Sequence, residues 1–363
     1  MKVRLGDICT ITGGYAFDSH KMTQKGDYQI IKMGNLYNGI FDLSRNSSFI
    51  NAPTKKELEY LIQENDILIT LTGTTNKKDY GYTVQMEQPK NLLLNQRCAL
   101  IRASKVNEKY LFYLLNSNDF LKQFYASSTG GTGNQTNVSI NDMLDFKVYI
   151  SNENDQSKIS NILNALDKKI LTQIKIIDRL YSQIKYIKGQ ILNMTTITET
   201  KPLGQLCNIS TGKRDANEMK SNGSYKFFTC SKDDYCIDTY SFDGEALIIS
   251  GNGELGLIKY YNGKFDAYQR TYVLQNFKCH PKYLMYVLQN KLPKKIEKEK
   301  NVGAMPYIVL KTLTSINIDI FNMHDQIKIV NILNKFEEKL ENDRILLKLF
   351  EKEKSFLLKN LFV

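Results

Sequence analysis

The side chains with the most to offer chemically in this 363-residue chain are hydrogen-bond donors on glycine-rich turns. Thr72, Gly73 and Thr74 stand in LTGTTNKK, which continues into Lys77 and Lys78. A second segment, STGGTGNQTN, gathers Gly130, Gly131, Asn134 and Gln135. Small residues let a backbone approach a phosphate, lysine neutralises it, and Asn or Gln amides match adenine edges. Further on, Lys213 and Arg214 directly follow a Thr-Gly turn, and Asn252 lies within GNGELG. Arg97 and Arg270 occupy matching QR dipeptides, where each either clamps a phosphate or supports the fold. For every loop residue the alternative is an ordinary solvated turn.

Other chemistries lack their residues. The six cysteines form no CxxC pair and there are only three histidines, so no zinc site is expected and the thiols read as reduced and mostly buried. No GxxxxGK[ST] phosphate loop occurs, nor an N/DPPY/F run of the kind used in adenine methylation. GNGELG formally satisfies GxGxxG, but LIKYYNGKF after it reads as a strand, which leaves no helix N-terminus for a pyrophosphate. We therefore assign no catalytic residue, no metal and no cofactor to this chain. The formal charge of +11 and a pI near 9.1 suit a polyanionic partner. Basic residues outnumber acidic ones by 17 to 14 in 1–150 and by 17 to 12 in 201–322, so the excess sits mainly in two blocks, as two binding surfaces would require. Neither a signal peptide nor a membrane span is apparent, and a cytoplasmic protein is expected.

The elements that position these residues are written twice. LGDICTITGG is echoed by LGQLCNISTG, GDYQIIK by GSYKFFT, DILIT by EALIIS, NQR by YQR, KYLFYLL by KYLMYVL, and DQSKISNILN by DQIKIVNILN. Six pairs in the same order make an internal duplication. The offset shrinks from 198 at Leu5/Leu203 to 170 at Asp155/Asp325, so the second copy has lost 28 residues between its landmarks. Each copy opens with short apolar runs separated by Gly, Asn and Asp turns, which predicts strands. KYLFYLL and KYLMYVL predict helices that pack into the cores.

Each copy ends in a longer periodic segment. Ile159, Leu163, Leu166, Ile170, Gln173, Ile177, Leu180, Ile184, Ile187 and Ile191 follow one another in steps of four and three. The second row is Ile329, Leu333, Phe336, Leu340, Asp343, Leu347, Phe350, Lys354, Leu357 and Leu361. Such rows are coiled-coil seams, and Gln173 and Asp343 interrupt them at equivalent places. The stripes are buried either against each other, which one chain with two matched stripes favours, or in a homodimer. Domains are accordingly set at 1–150 and 201–322, with long helices in 151–200 and 323–363. The fold class is α+β: two mixed α/β domains separated by two long antiparallel coiled-coil helices, with a pseudo-twofold internal repeat.

The duplicated openings, the strand-plus-glycine turns DILITLTG and EALIISGNGELG, and DQSKISNIL and DQIKIVNIL before the long helices resemble the specificity subunits of Type I restriction-modification systems. The resemblance covers essentially the whole chain. STGGTGNQTNVSINDML fits the family's glycine segment, whereas NVGAMPYIVLKTL is shortened and has lost most of its glycines; the proline-rich approach to the helix is missing from both copies. The resemblance implies two target-recognition domains that bind a bipartite, asymmetric sequence in double-stranded DNA, with the long helices setting the spacer. It implies two methyltransferase subunits as partners, S-adenosylmethionine held by those partners, and a restriction subunit able to join. Lys168, Lys169, Glu337 and Glu338, between the seam positions, are candidates for methyltransferase docking. The rival readings are an enzyme, for which no carboxylate cluster or cofactor motif is found, and a coiled-coil scaffold without sequence-specific DNA binding, whose associations would be insensitive to salt.

Overall fold

The computed structural model describes every residue except 131–134, 195–197, 300–306 and 363, with only the backbone of 190–194. The chain divides into two compact units, 1–173 with 346–363, and 174–345. The division falls inside both long helices, Glu153–Met194 and Met323–Asn360, so each unit contains one module and a part of each helix.

In the first unit, strands Cys9–Gly13, Cys98–Ala103, Ile67–Thr70 and Thr83–Gln85 form an antiparallel sheet in that order. A second sheet has Tyr28–Ile31 at its centre, antiparallel to Phe49–Ile50 and parallel to Leu92–Leu94. Lys2–Arg4 pairs with Lys147–Tyr149. The second unit repeats this plan strand for strand. Asn208–Thr211, Thr271–Gln275, Glu245–Ser250 and Ile258–Asn262 form the four-stranded sheet. Tyr225–Phe228 again lies antiparallel to one neighbour, Tyr235–Ile237, and parallel to the other, Phe265–Ala267. Glu199–Pro202 pairs with Asn317–Ile320.

The central strands explain themselves. ILIT and ALIIS are buried on both faces, so they read as continuous apolar runs rather than alternating ones. A glycine directly follows strand Cys9–Gly13 and strand Asn208–Thr211 for a shared reason. A Cβ on Gly14 would lie 2.2 Å from the carbonyl oxygen of Asn95, and one on Gly212 would lie 1.9 Å from that of Ala267. The chain approaches its own backbone there as only glycine permits.

KYLFYLL and KYLMYVL fall on helices Glu108–Leu114 and Pro281–Glu299, the latter running well beyond the motif. Their tyrosines are buried and placed alike. Tyr110 and Tyr283 donate to the carbonyls of Tyr149 and Asp319. Tyr113 donates to Asp167 at 2.9 Å, and Tyr286 to Glu337 at 2.8 Å. Each acid also receives a lysine from the other long helix, Lys354 on Asp167 and Lys188 on Glu337. Burial drives the Tyr286 hydroxyl far above its ordinary value, reinforced by the Glu337 hydrogen bond, so it remains a donor.

The seam rows point inward. Within the first unit Ile159, Leu163, Leu166 and Gln173 are buried, and Ile170 and Leu347 half-buried. Ile159 and Leu163 share a core with Phe362, and Leu357, Leu358 and Leu361 pack on it. Phe362 reaches the module itself, its ring 5.2 Å from that of Tyr110. Within the second unit Leu180, Ile184 and Leu340 cluster with Ile177 and Phe336, while Ile329 and Leu333 enter the module core. In each unit the two helix segments run antiparallel, because positions ascending in one meet positions descending in the other. The stripes are thus covered within one chain. Asp343 is half-buried and ion-paired to Lys339 at 3.5 Å. The Ile191 side chain lies outside the described residues.

The acidic-Gln pair that opens each long helix proves to be a fastening. Asn152 caps the first helix, accepting from the Asp155 N–H while its own amide donates to the Asp155 carboxylate; Asn322 and Asp325 do the same in the second. The glutamine beside each aspartate is buried. Gln156 accepts from the Asn107 N–H at 3.0 Å and donates to the Ser151 carbonyl at 2.9 Å. Gln326 accepts from the His280 N–H at 2.8 Å and donates to the Phe321 carbonyl at 2.7 Å. Replacing either glutamine by alanine leaves a backbone donor and acceptor short of partners and is expected to cost about 2 kcal/mol. Hydrogen exchange should report it locally: Gln156→Ala frees the Asn107 amide and Gln326→Ala the His280 amide, each without affecting the other. Unchanged exchange at both amides would rule out the fastening.

Candidate nucleic-acid interface

Two of the segments singled out in the first module meet in a small sheet. Thr72–Thr74 pairs antiparallel with Gln135–Asn137, which pairs in turn with Thr129–Gly130. This brings Thr72, Thr74, Gly130 and Gln135 together, with Gln135 opposite Thr74. Gly131 and Asn134 lie outside the described residues. The turn after Thr74 is set by Asp79, whose carboxylate accepts from the Thr74 N–H at 2.8 Å and the Thr74 hydroxyl at 2.7 Å. Those two bonds hold the Asp79 carboxyl below the usual carboxylate range. Lys77 and Lys78 are exposed on this turn, Lys78 over the Tyr125 ring at 5.2 Å. Gly73 is buried, and a Cβ there would strike the Tyr80 ring at 2.3 Å, so packing alone demands glycine. Among the described residues the second module has no counterpart of this sheet.

Arg97 and Arg270 occupy the same place in their sheets, and the main chain of each supports the fold. The Arg97 carbonyl accepts from the Leu71 N–H at 3.0 Å and the Arg270 carbonyl from the Gly251 N–H at 3.0 Å, so each backbone ties down the turn after the central strand. Both side chains are exposed and form no ion pair among the described residues.

Lys213 and Arg214 part company. Lys213 is exposed without an ion pair among the described residues. Arg214 is committed: its Nε lies 3.2 Å from the fully buried Asp266, and its other arm 3.2 Å from Glu218. Thr239 and Ser241 also donate to that Asp266 oxygen. The sequence could not separate the two residues, because Asp266 is brought in by a strand far along the chain. Asn252 is half-buried in a turn joining strands Glu245–Ser250 and Ile258–Asn262, so a strand follows GNGELG, as read from the sequence.

On the long helices Lys168 and Glu338 are exposed, and Lys169 lies 5.7 Å from the Phe350 ring. Glu337 is a correction: it is half-buried and engaged by Tyr286 and Lys188, not free on an outer face. Apolar side chains face outward as well: Ile162, Leu171, Leu349 and Phe356 in the first unit, and Tyr181, Tyr186 and Ile345 in the second. The sequence reading named only charged residues between the seam positions and passed over these apolar ones, which fall there too.

The profile described as Type I restriction modification DNA specificity domain matches residues 1–180 and 198–349. Among curated relatives, the specificity subunit of the Type I restriction enzyme EcoDI from Escherichia coli is 35% identical over 146 residues, 40% of this chain and 32% of that protein. A putative type I specificity subunit of Mycoplasma pneumoniae is 26% identical over 226 residues, 58% of this chain and 81% of the relative. The matched part thus spans about a third of the E. coli protein's length. Among solved structures, the S subunit of a Type I restriction-modification system from M. genitalium superimposes with a TM-score of 0.68 at 18% identity, covering 100% of this chain and 96% of that one. A chain from a study of assembly and conformational transition of the type I R-M system gives 0.57 at 15% identity, over 99% and 96%. At these identities the structural likeness speaks for the fold.

Two outcomes follow from the geometry. Arg214→Ala strands a buried carboxylate that keeps only hydroxyl and backbone donors, so thermal or chemical denaturation should show a loss of about 3 kcal/mol. Lys213→Ala should leave stability within about 0.5 kcal/mol. Equal stability of the two variants would refute the division of roles. Asp79, with its folded-state value depressed, contributes stability that is complete above the unfolded carboxylate value and is lost as pH falls through the lower folded value. The Thr74 amide should therefore lose exchange protection only under acid conditions, and Asp79→Asn should flatten that dependence.

Proposed function

Because this chain belongs to the Type I restriction modification DNA specificity family, we propose that it is the DNA-reading, non-catalytic subunit of a Type I restriction-modification complex. In this reading each module recognises one part of a bipartite, asymmetric sequence in double-stranded DNA. The observation that carries it is one sheet plan built twice in one chain, each copy presenting an exposed arginine after its parallel strand pair. A single recognition surface would not need the plan twice. Differences between the copies, above all the small sheet at Thr72–Thr74, support unlike half-sites.

Two methyltransferase subunits are the partners of the long helices. The outward apolar side chains suit a protein surface better than solvent, and exposed apolar patches of this kind mark interaction sites. Those partners hold S-adenosylmethionine and perform adenine methylation; a restriction subunit can join for cleavage. This chain carries no cofactor of its own in that scheme, and a cytoplasmic location goes with a DNA target in the same reading. No helix among the described residues is long and apolar enough to cross a membrane.

The test is the methylome of a host expressing this chain with its methyltransferase, read by long-read sequencing against a strain lacking this chain. A gapped adenine motif that disappears with the chain is the expected result. Methylation that is unchanged, or a motif without a gap, would refute the assignment and favour a scaffold, whose binding would not weaken steeply with salt.

A further inference from the structure

A groove of about 780 Å³ opens on the first unit, with Lys32, Arg97, Asn46, Asn95, Ser48 and Gln24 among its lining. No Asp or Glu lines it among the described residues. It has a built wall. Asn35, fully buried, accepts from the Lys32 N–H at 2.9 Å and donates to the carbonyls of Asp42 and Arg45 at 2.8 and 2.6 Å. Gln29, also buried, donates to the Leu43 carbonyl at 2.7 Å, and the Ser47 hydroxyl donates to the same oxygen at 2.8 Å. Segment 42–48 is therefore held from beneath by side chains that are themselves packed, and the groove is preorganised.

The two cations at its edge have donors to spare. The Lys32 ammonium is 2.7 Å from the Ser48 hydroxyl and pairs with no acid among the described residues. The Arg97 guanidinium makes no side-chain hydrogen bond or ion pair among them. Both groups can only donate, so the ligand must present acceptors. The second module cannot build this groove. The offset between copies falls from 197 at Gly26/Gly223 to 179 at Asp66/Glu245, so the stretch that contains the wall segment is 18 residues shorter there. In the matching strand pairs, the residue after Ile31 is Lys32 and the one after Phe228 is Thr229, so one of the two cations is missing as well.

We propose that this groove grips an electron-rich acceptor of duplex DNA, either a guanine major-groove edge or a backbone phosphate, through Arg97 and Lys32. The inference rests on the DNA-reading function above and assigns the grip to a surface that one module alone possesses. Arg97 pairs with O6 and N7 in the first case and with phosphate oxygens in the second.

The experiment uses the full chain, expressed and purified with its methyltransferase, as wild type and as Arg97→Ala, Arg97→Lys and Lys32→Ala, each checked for an unchanged melting curve. Two readouts are taken: the methylated motif in cells, and binding to the wild-type target duplex over a salt series. If a guanine is read, Arg97→Ala relaxes the motif at one position in one half-site, and Arg97→Lys, having lost the bidentate fork, does not restore it. If a phosphate is held, the motif is unchanged, affinity falls about tenfold, the salt slope drops by about one, and Arg97→Lys recovers most of the loss. A wild-type motif with both readouts untouched by Arg97→Ala and Lys32→Ala overturns the groove assignment alone. A wild-type chain that yields no gapped motif overturns the DNA-reading function, and the groove with it.

Discussion

Each module is fastened to its long helix by one buried glutamine. Gln156 and Gln326 lie where a capped helix start, a short core helix and a preceding strand converge, and each satisfies a backbone donor from one and an acceptor from another. A buried amide that serves two backbone groups fixes position in a way that apolar contact does not, because a small slip leaves both groups without partners. Within each unit, the neighbouring side-chain contacts agree with that register. Tyr113 reaches Asp167 and Tyr286 reaches Glu337 because each short helix is already seated on the long helix's first turns. The lysines of the opposing helix, Lys354 and Lys188, then complete the two nodes.

Around these fastenings, framework and surface obey different constraints. Strand order, the single parallel pairing and the glycine forced by close backbone approach recur in both copies. The segments between strands differ. One copy carries the small sheet at Thr72–Thr74 and the wall held by Asn35, while the other ties Arg214 to Asp266. Duplicated scaffolds bearing unlike loops allow recognition to change without a change of fold.

Much of the framework was legible in the sequence. The six ordered motif pairs named the duplication, the four-and-three rows named the inward faces of both long helices, and the apolar runs named the central strands. What escaped was tertiary pairing. Glu337 looks like any exposed helix acid until Tyr286 and Lys188 arrive from distant segments. The turn at Thr72 and the glycine segment at Gly130 read as separate loops, although strand pairing joins them. Lys32 gave no signal at all, since its setting depends on buried Asn35 and Gln29, whose amides look in sequence like any other polar residue. The acidic-Gln motif was visible as a pattern, but its mechanism lay in the backbone groups of residues far from it.

Phe362 carries a consequence for how the protein comes into being. Its ring packs against Tyr110 in the core of the first module, with the whole second module lying between them in the chain. A ribosome therefore delivers the first module with its strands but without the residues that seal one side of its core. The core of that module is complete only once Leu357, Leu361 and Phe362 lie against it. Contacts so distant in sequence are slow to form and leave apolar surface exposed meanwhile. Premature termination within the second module would thus injure the first, making a correctly packed first module a record that translation has passed through both copies.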